Sequence, residues 1–349
     1  MTRRRLAVRF LFLALPLWGC TSLPTRQELL SSPGPQSTLP AGLPIQDGRA
    51  RFRQIFCGVL DRQAARDGQD RTCSDWLWQL EDESPIETQP LPEPDLAPQV
   101  YLVSGAFSEC LGDEAQPFSS AARTLSAAGY RIATIVVSGR SGSRHNAQQI
   151  ADRLEHAPPG EAGPVILIGY SKGANDILEF LVRYPELAAR VASVVSVAGA
   201  IGGSPLAATA GGYYDALLSW IPSDRCPAGD GDVIDSLRQQ ERRDWLAQNT
   251  LPDSVRYYSV AAFTTRPRVA DGLLPSWKLL LPYERRNDGQ LLAGDALIPG
   301  STLLGYIDAD HWSAAIDVES VHPVLGARPD PTPFPRAALL EAILLQVSE

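Results

Sequence analysis

Apolar residues enter this chain in short blocks separated by amphipathic runs. Val100–Ser104, Arg131–Ser138, Val165–Gly169, Val194–Ala198 and Tyr257–Ala262 each read as a strand. In the second block Ile132, Ala133, Ile135, Val136 and Val137 leave almost no polar position, as expected of a parallel strand buried on both faces. Between the blocks, Ser119–Gly129 is a helix closed by glycine, and Asn146–His156 and Arg336–Val347 repeat apolar residues at helical spacing. Strands alternating with helices predict an α/β fold: a mostly parallel central sheet with helices on both faces. Upstream, Arg51–Glu83 reads as helical, with Phe52, Ile55, Phe56, Val59 and Leu60 on one face and Trp76, Leu77 and Leu80 on another. A proline-rich linker, Pro85–Pro98, follows it.

The third block carries chemistry. Val165–Gly169 runs into Gly169-Tyr-Ser-Lys-Gly173, after which Ile177, Leu178, Leu181 and Val182 fall at helical spacing. Strand, Gly-x-Ser-x-Gly and helix in that order place Ser171 on a sharp turn above the carboxyl end of a strand. The helix start beneath it offers free N–H groups and a positive dipole end. An ordinary strand-to-helix turn, with Ser171 as a cap, leaves Gly173 inside the first helical turn unexplained.

A serine needs a general base. Of His145, His156, His311 and His322, only the last two follow Ser171, and acid then histidine is the chain order of this arrangement. His311 is expected at a strand-to-helix corner in Asp-Ala-Asp-His-Trp, whereas His322 precedes a proline in an extended loop. His311 is therefore the expected base. Asp288, in the Asn-Asp-Gly turn, is the expected acid, with Asp295 the runner-up; Asp308 and Asp310 sit too near His311 in sequence to face it.

Together these residues resemble the α/β-hydrolase superfamily, and most of all bacterial serine lipases and esterases. The resemblance runs from about Gln99 to Glu349. It rests on Gly169–Gly173, on Gly202-Gly-Ser-Pro-Leu-Ala207 after the strand Val191–Val197, on Asn287-Asp-Gly289 and on Asp310-His-Trp312. It departs in the early loop, where Ser104-Gly-Ala-Phe107 replaces the His-Gly pair that such lipases often carry, and in lacking a Pro-His before Gly202. It implies a Ser171–Asp288–His311 triad, and an oxyanion hole built from the backbone N–H of Lys172 and that of Ala106 or Phe107. It implies no cofactor, and no metal site carries over. The Lys172 side chain reads as an exposed residue at a helix start.

Ala207–Leu251 and Gly272–Tyr283 break the strand–helix alternation and are rich in large apolar residues: Tyr213, Tyr214, Leu217, Leu218, Trp220 and Ile221 in the first, Leu273, Leu274, Trp277 and Leu279–Leu281 in the second. Both lie between triad strands. They are expected to overhang Ser171 as a lid and acyl pocket, the alternative being padding at the edge of the sheet.

The amino terminus adds a compartment. Met1-Thr-Arg-Arg-Arg5 followed by the apolar Leu6–Leu17 reads as a signal peptide over 1–19, too short to span a bilayer. Leu17-Trp-Gly-Cys20 resembles the bacterial lipobox, with Cys20 as the lipidated residue. A Pro/Ser/Thr-rich tether is expected over 20–50, then the helical segment and linker over 51–98 and the hydrolase domain over 99–349, with its insertion at about 207–251. Thr21 in place of the inner-membrane aspartate signal leans the reading to the outer membrane, facing the periplasm. In an exported chain the remaining Cys57, Cys73, Cys110 and Cys226 suggest two disulfides; three pairings are open, of which Cys57–Cys73 and Cys110–Cys226 are expected.

Loss of Arg3, Arg4, Arg5 and Arg9 with the signal would take the net charge from −9 to −13. So acidic a chain argues against nucleic acid as a partner. The expected function is hydrolysis of carboxylic esters. The rivals are an acyltransferase or thioesterase using the same triad, and a non-catalytic envelope binding protein on the same fold.

Overall fold

A computed structural model describes residues 22–31, 43–67, 72–158, 161, 163–209 and 226–349. Its strands are β1 (Gln46–Asp47), β2 (Leu77–Trp78), β3 (Gln99–Val103), β4 (Arg131–Ile135), β5 (Val165–Tyr170), β6 (Val191–Val197), β7 (Arg256–Phe263) and β8 (Thr302–Asp308). They form one sheet in the order β1-β8-β7-β6-β5-β3-β4, and β2 also pairs with β8. Every pairing is parallel except β2 with β8.

Period-two alternation sorts the core strands onto two faces. Val100, Leu102, Ile166, Ile168, Val195 and Val197 point to one face, where Phe52, Ile55, Phe56 and Val59 of α2 (Arg49–Asp67) and Leu339, Leu340 and Ile343 of the final helix Arg336–Val347 cover them. Tyr101, Val103, Val165, Leu167 and Val194 point to the other. There they meet Ile150 and Leu154 of α3 (Ser143–Glu155) and Ile177, Leu178 and Leu181 of α4 (Lys172–Arg183). Helices therefore flank both faces, as expected.

Three expectations change. First, Arg131–Ile135 is an edge strand rather than one buried on both faces: its first four residues are only partly buried, and Val136 just beyond it is 48% exposed. Second, Trp76–Leu80 is not helical. β2 lies antiparallel on β8, pairing Leu77 with Ile307 and Trp78 with Tyr306, and the Asp308 amide donates to the Trp76 carbonyl at 2.8 Å. The open edge of β8 needs backbone partners more than these residues need a helix.

Third, the described parts of the expected tether are docked. Leu29, on the helix α1 (Arg26–Ser31), is buried with Trp78, Ala261 and Phe263. The Arg26 guanidinium lies 4.2 Å over the Trp78 ring and donates to Asp308 Oδ2 at 2.6 Å. Gln46–Asp47 then joins the sheet as β1. Cys20 lies outside the described residues, as do Tyr213, Tyr214, Leu217, Leu218, Trp220 and Ile221 of the insertion.

Both disulfides form as expected. Cys57–Cys73 ties α2 to the turn before β2, and Cys110–Cys226 ties the loop after β3 to the insertion.

Candidate active site

β5 delivers Ser171 in a conformation that L-residues rarely hold, with φ 55° and ψ −128°. Crowding explains the flanking glycines. A Cβ on Gly169 would lie 2.5 Å from Ala174 Cα, and one on Gly173 would lie 2.5 Å from the Ser104 carbonyl oxygen. The strained turn is pinned on both sides: the Ser171 amide donates to the Val197 carbonyl at 3.2 Å, and its own carbonyl accepts from Ala200 at 3.0 Å.

His311 arrives three residues beyond β8. Asp310, fully buried, builds its corner by accepting from the Ala270 and Ser313 amides, each at 2.7 Å, and from the Ser313 hydroxyl. Burial raises the Asp310 carboxyl above its ordinary range, and those three donors oppose the rise. His311 Nε2 then stands 2.9 Å from Ser171 Oγ, and Nδ1 stands 2.7 Å from Asp288 Oδ2. The second carboxylate oxygen of Asp288 accepts from the amides of Gln290 (2.8 Å) and Leu291 (2.7 Å). The Asp288 main-chain carbonyl accepts the His311 amide at 2.8 Å, so backbone and side chain register the pair together. A carboxylate at Nδ1 holds the ring proton there and leaves Nε2 to accept from the serine hydroxyl.

The other candidates go elsewhere. Asp295 accepts from Gln239 Nε2 at 2.7 Å, and burial pushes its carboxyl up to about 6. Asp308 takes Thr264 and Arg26, each at 2.6 Å. His322 accepts the Leu325 amide at 3.2 Å as a helix cap, and His156 Nδ1 sits 2.8 Å from the Asp152 carbonyl.

Two expectations about the oxyanion loops need correction. The Phe107 amide donates to the Gly139 carbonyl at 3.0 Å, so it is already committed. The loop that carries Ala106 approaches the serine closely: a Cβ on Gly105 would lie 3.0 Å from Ser171 Cβ. The Lys172 side chain is not exposed. It is fully buried, with Nζ 2.6 Å from Asp176 Oδ1, while Asp176 Oδ2 accepts from Asn146 Nδ2 at 2.8 Å. Desolvation pulls the Lys172 ammonium below its ordinary range, against the attraction of Asp176. The signal was present in the i, i+4 spacing of Lys172 and Asp176 on one helix.

Tyr170 escaped the sequence reading. Its hydroxyl donates to the His311 carbonyl at 2.8 Å, and its ring centroid lies 5.2 Å from the imidazole. Beside the site, Val269, Leu273, Trp277 and Leu281 pack together with Trp312, while Leu280 joins Phe107, Ala200, Leu206 and Leu291. The helix Leu274–Leu280 thus bridges the Asp288 turn and the loop after β3.

This sheet order, with a strained serine closing a central parallel strand, defines the α/β-hydrolase fold. Scans against family models and against curated proteins return no match. Among solved structures, the metagenomic carboxyl esterase MGS0156 is 37% identical over 92% of this chain and 98% of its own, with a TM-score of 0.78. The chain belongs to the same family of α/β-hydrolase-fold proteins as that carboxyl esterase. Two more distant neighbours share the fold. The Bacillus licheniformis lipase BlEst2 in mature form is 23% identical over 68% of this chain and 96% of its own, with a TM-score of 0.52. The Staphylococcus hyicus lipase is 12% identical over 73% and 98%, with a TM-score of 0.53.

Proposed function

We propose that the protein is a serine hydrolase of carboxylic esters, with Ser171 as nucleophile, His311 as general base and acid, and Asp288 as the group that orients and charge-stabilises the imidazole. Ser171 Oγ attacks the ester carbonyl as His311 Nε2 takes its proton. The amides of Lys172 and Ala106 receive the oxyanion, each such donor being worth about 3 kcal/mol of barrier. His311 gives its proton to the leaving alkoxide, and an acyl-Ser171 ester remains. Water then attacks that ester by the same route, releasing the acid and restoring the serine.

The observation that carries this reading is the unbroken relay from Ser171 Oγ through His311 to Asp288, at 2.9 and 2.7 Å. The apolar wall of Leu273, Trp277 and Leu281 beside it suits an acyl chain, and Val233 and Leu237 of the insertion pack with Phe107 and Leu206 nearby. Export and lipidation at Cys20 complete the reading: a periplasm-facing esterase held on the outer membrane.

The test is covalent. A fluorophosphonate is expected to label Ser171 in the folded wild type and to leave Ser171→Ala unlabelled, alongside turnover of p-nitrophenyl esters by the wild type alone. A folded wild type inert to both reagents near neutral pH would sink the proposal.

A further inference from the structure

The buried Lys172–Asp176 pair stands apart from the relay of Ser171, His311 and Asp288, yet hydrogen bonds lead from it without a break to the loop after β3. Asp176 joins the Lys172 ammonium to Asn146 Nδ2. Asn146 is itself buried on α3, and the same amide nitrogen donates to the Ser138 carbonyl at 3.0 Å. In that peptide unit the Gly139 amide donates to Glu109 Oε1 at 2.8 Å. The Gly139 carbonyl accepts the Phe107 amide at 3.0 Å. The run starts on the residue after Ser171 and ends on the residue after Ala106.

The two loops at the far end of this run meet backbone to backbone. A Cβ on Gly139 would lie 2.8 Å from both the amide nitrogen and the Cα of Phe107. Phe107 stands at φ 63°, a left-handed value that a residue other than glycine keeps only where its neighbours impose it. Glu109, on the short helix Ser108–Leu111, grips the same loop a second time through the Ser138 hydroxyl at 3.4 Å. At the near end sits a desolvated ion pair. Such a pair stabilises a fold little more than apolar side chains of the same shape. What it adds is direction: the start of α4 cannot shift against Ser138 and Gly139 without breaking a charged hydrogen bond in a dry interior.

We propose that Lys172, Asp176 and Asn146 form a brace that sets the spacing between the two oxyanion donors, the amides of Lys172 and Ala106, and that their side chains are positioning residues for ester hydrolysis. The proposal rests on the ester-hydrolase reading above and deepens it. Lys172 serves twice. Its amide faces the oxyanion, and its ammonium fixes Asp176 and, through Asn146, the peptide unit that holds Phe107 and hence Ala106. The spacing of the donors matters most once negative charge develops on the carbonyl oxygen. The brace therefore acts on the transition state and leaves the binding of the ground-state ester nearly untouched.

The test compares two variants of the full chain with wild type, on p-nitrophenyl butyrate and on an alkyl trifluoromethyl ketone, whose adduct with Ser171 puts an oxyanion in the hole. Asn146→Ala cuts the brace at a residue that shares no hydrogen bond with Ser171, His311 or Asp288. Lys172→Met/Asp176→Leu replaces the ion pair by apolar side chains and is expected to melt within a few degrees of wild type or above it. Circular dichroism checks that both fold. In each, kcat is expected to fall about tenfold or more with KM within about twofold, and the Ki of the ketone to rise by the same factor as kcat falls. A folded variant with wild-type kcat, or a fall in kcat with Ki unchanged, overturns the proposal. If only one variant folds, it decides by the same measures; if neither folds, the pair and its partner are structural and the proposal falls. A wild type inert to the ester and to a fluorophosphonate overturns the ester-hydrolase reading and this inference with it, whereas the other outcomes strike the brace alone.

Discussion

The hydroxyl of Tyr170 donates to the main-chain carbonyl of His311 at 2.8 Å, so the residue just before Ser171 holds the backbone of His311. Burial raises this phenol well above its ordinary range, which keeps it a donor at any working pH. Tyr170→Phe removes the bond and keeps the ring. It is expected to cost about 1–2 kcal/mol of stability by denaturant titration. Turnover is expected to fall about fivefold with little change in KM, because the alignment of His311 matters only once attack begins. An unaltered kcat would mean that Tyr170 supports packing alone.

Asp288 and Asp295 were rivals in the sequence and are separated by their partners in space. Asp288→Asn puts an amide at Nδ1 and favours the wrong tautomer, so kcat is expected to fall about 10³–10⁴-fold. Asp295→Asn keeps a partner for Gln239 and is expected to leave kcat/KM within about threefold of wild type. Steady-state kinetics on one soluble ester decides between them, and the reverse ranking would reassign the acid.

The backbone of Ser171 stores strain, since φ 55° with ψ −128° suits glycine and little else. Glycine in place of an ordinary residue normally costs about 0.5–1 kcal/mol through the unfolded chain. Here Ser171→Gly is expected to be at least as stable as Ser171→Ala in paired thermal melts, with both inactive. A clearly less stable glycine variant would show that the turn is relaxed.

Glu284, beside the Asp288 turn, is lifted from 4.5 to about 7, chiefly by burial, with Asp295 adding to the rise. Between those two values the folded protein holds a proton that the unfolded chain has released. Stability is therefore expected to drop as pH climbs from about 4.5 to about 7 and to level off above, a swing on the order of 3 kcal/mol from this group. Glu284→Gln should remove that swing: its stability relative to wild type rises between pH 4.5 and pH 8. Parallel curves for the two proteins would exclude Glu284 as the source.

Much of the fold was legible because strong local signals agreed with the long-range arrangement. The apolar block at β5, the two glycines around Ser171 and the Asn-Asp-Gly turn each demand one geometry, and of the three open cysteine pairings the expected one formed. What was missed depended on neighbours distant in sequence. Ile132–Val137 looked like a central strand because apolar composition does not reveal whether a further strand lies outside it. Trp76–Leu80 gave a helical spacing, but the vacant rim of β8 drew it into a strand. Lys172 looked like a surface charge, since its burial depends on Asn146 as well as Asp176. Leu29 and Arg26 are too few to mark a docking helix within a polar stretch, and the commitment of the Phe107 amide to Gly139 leaves no trace in residue type.

β1 and β2 are each only two residues long, yet between them they occupy both halves of the outer rim of β8. An unpaired strand margin is a template on which another chain can assemble. The segments on either side of α2 thus act as a hem on this side of the sheet. A chain trimmed ahead of Gly48 would lose its seal along Thr302 and Leu303 and with it a guard against self-association.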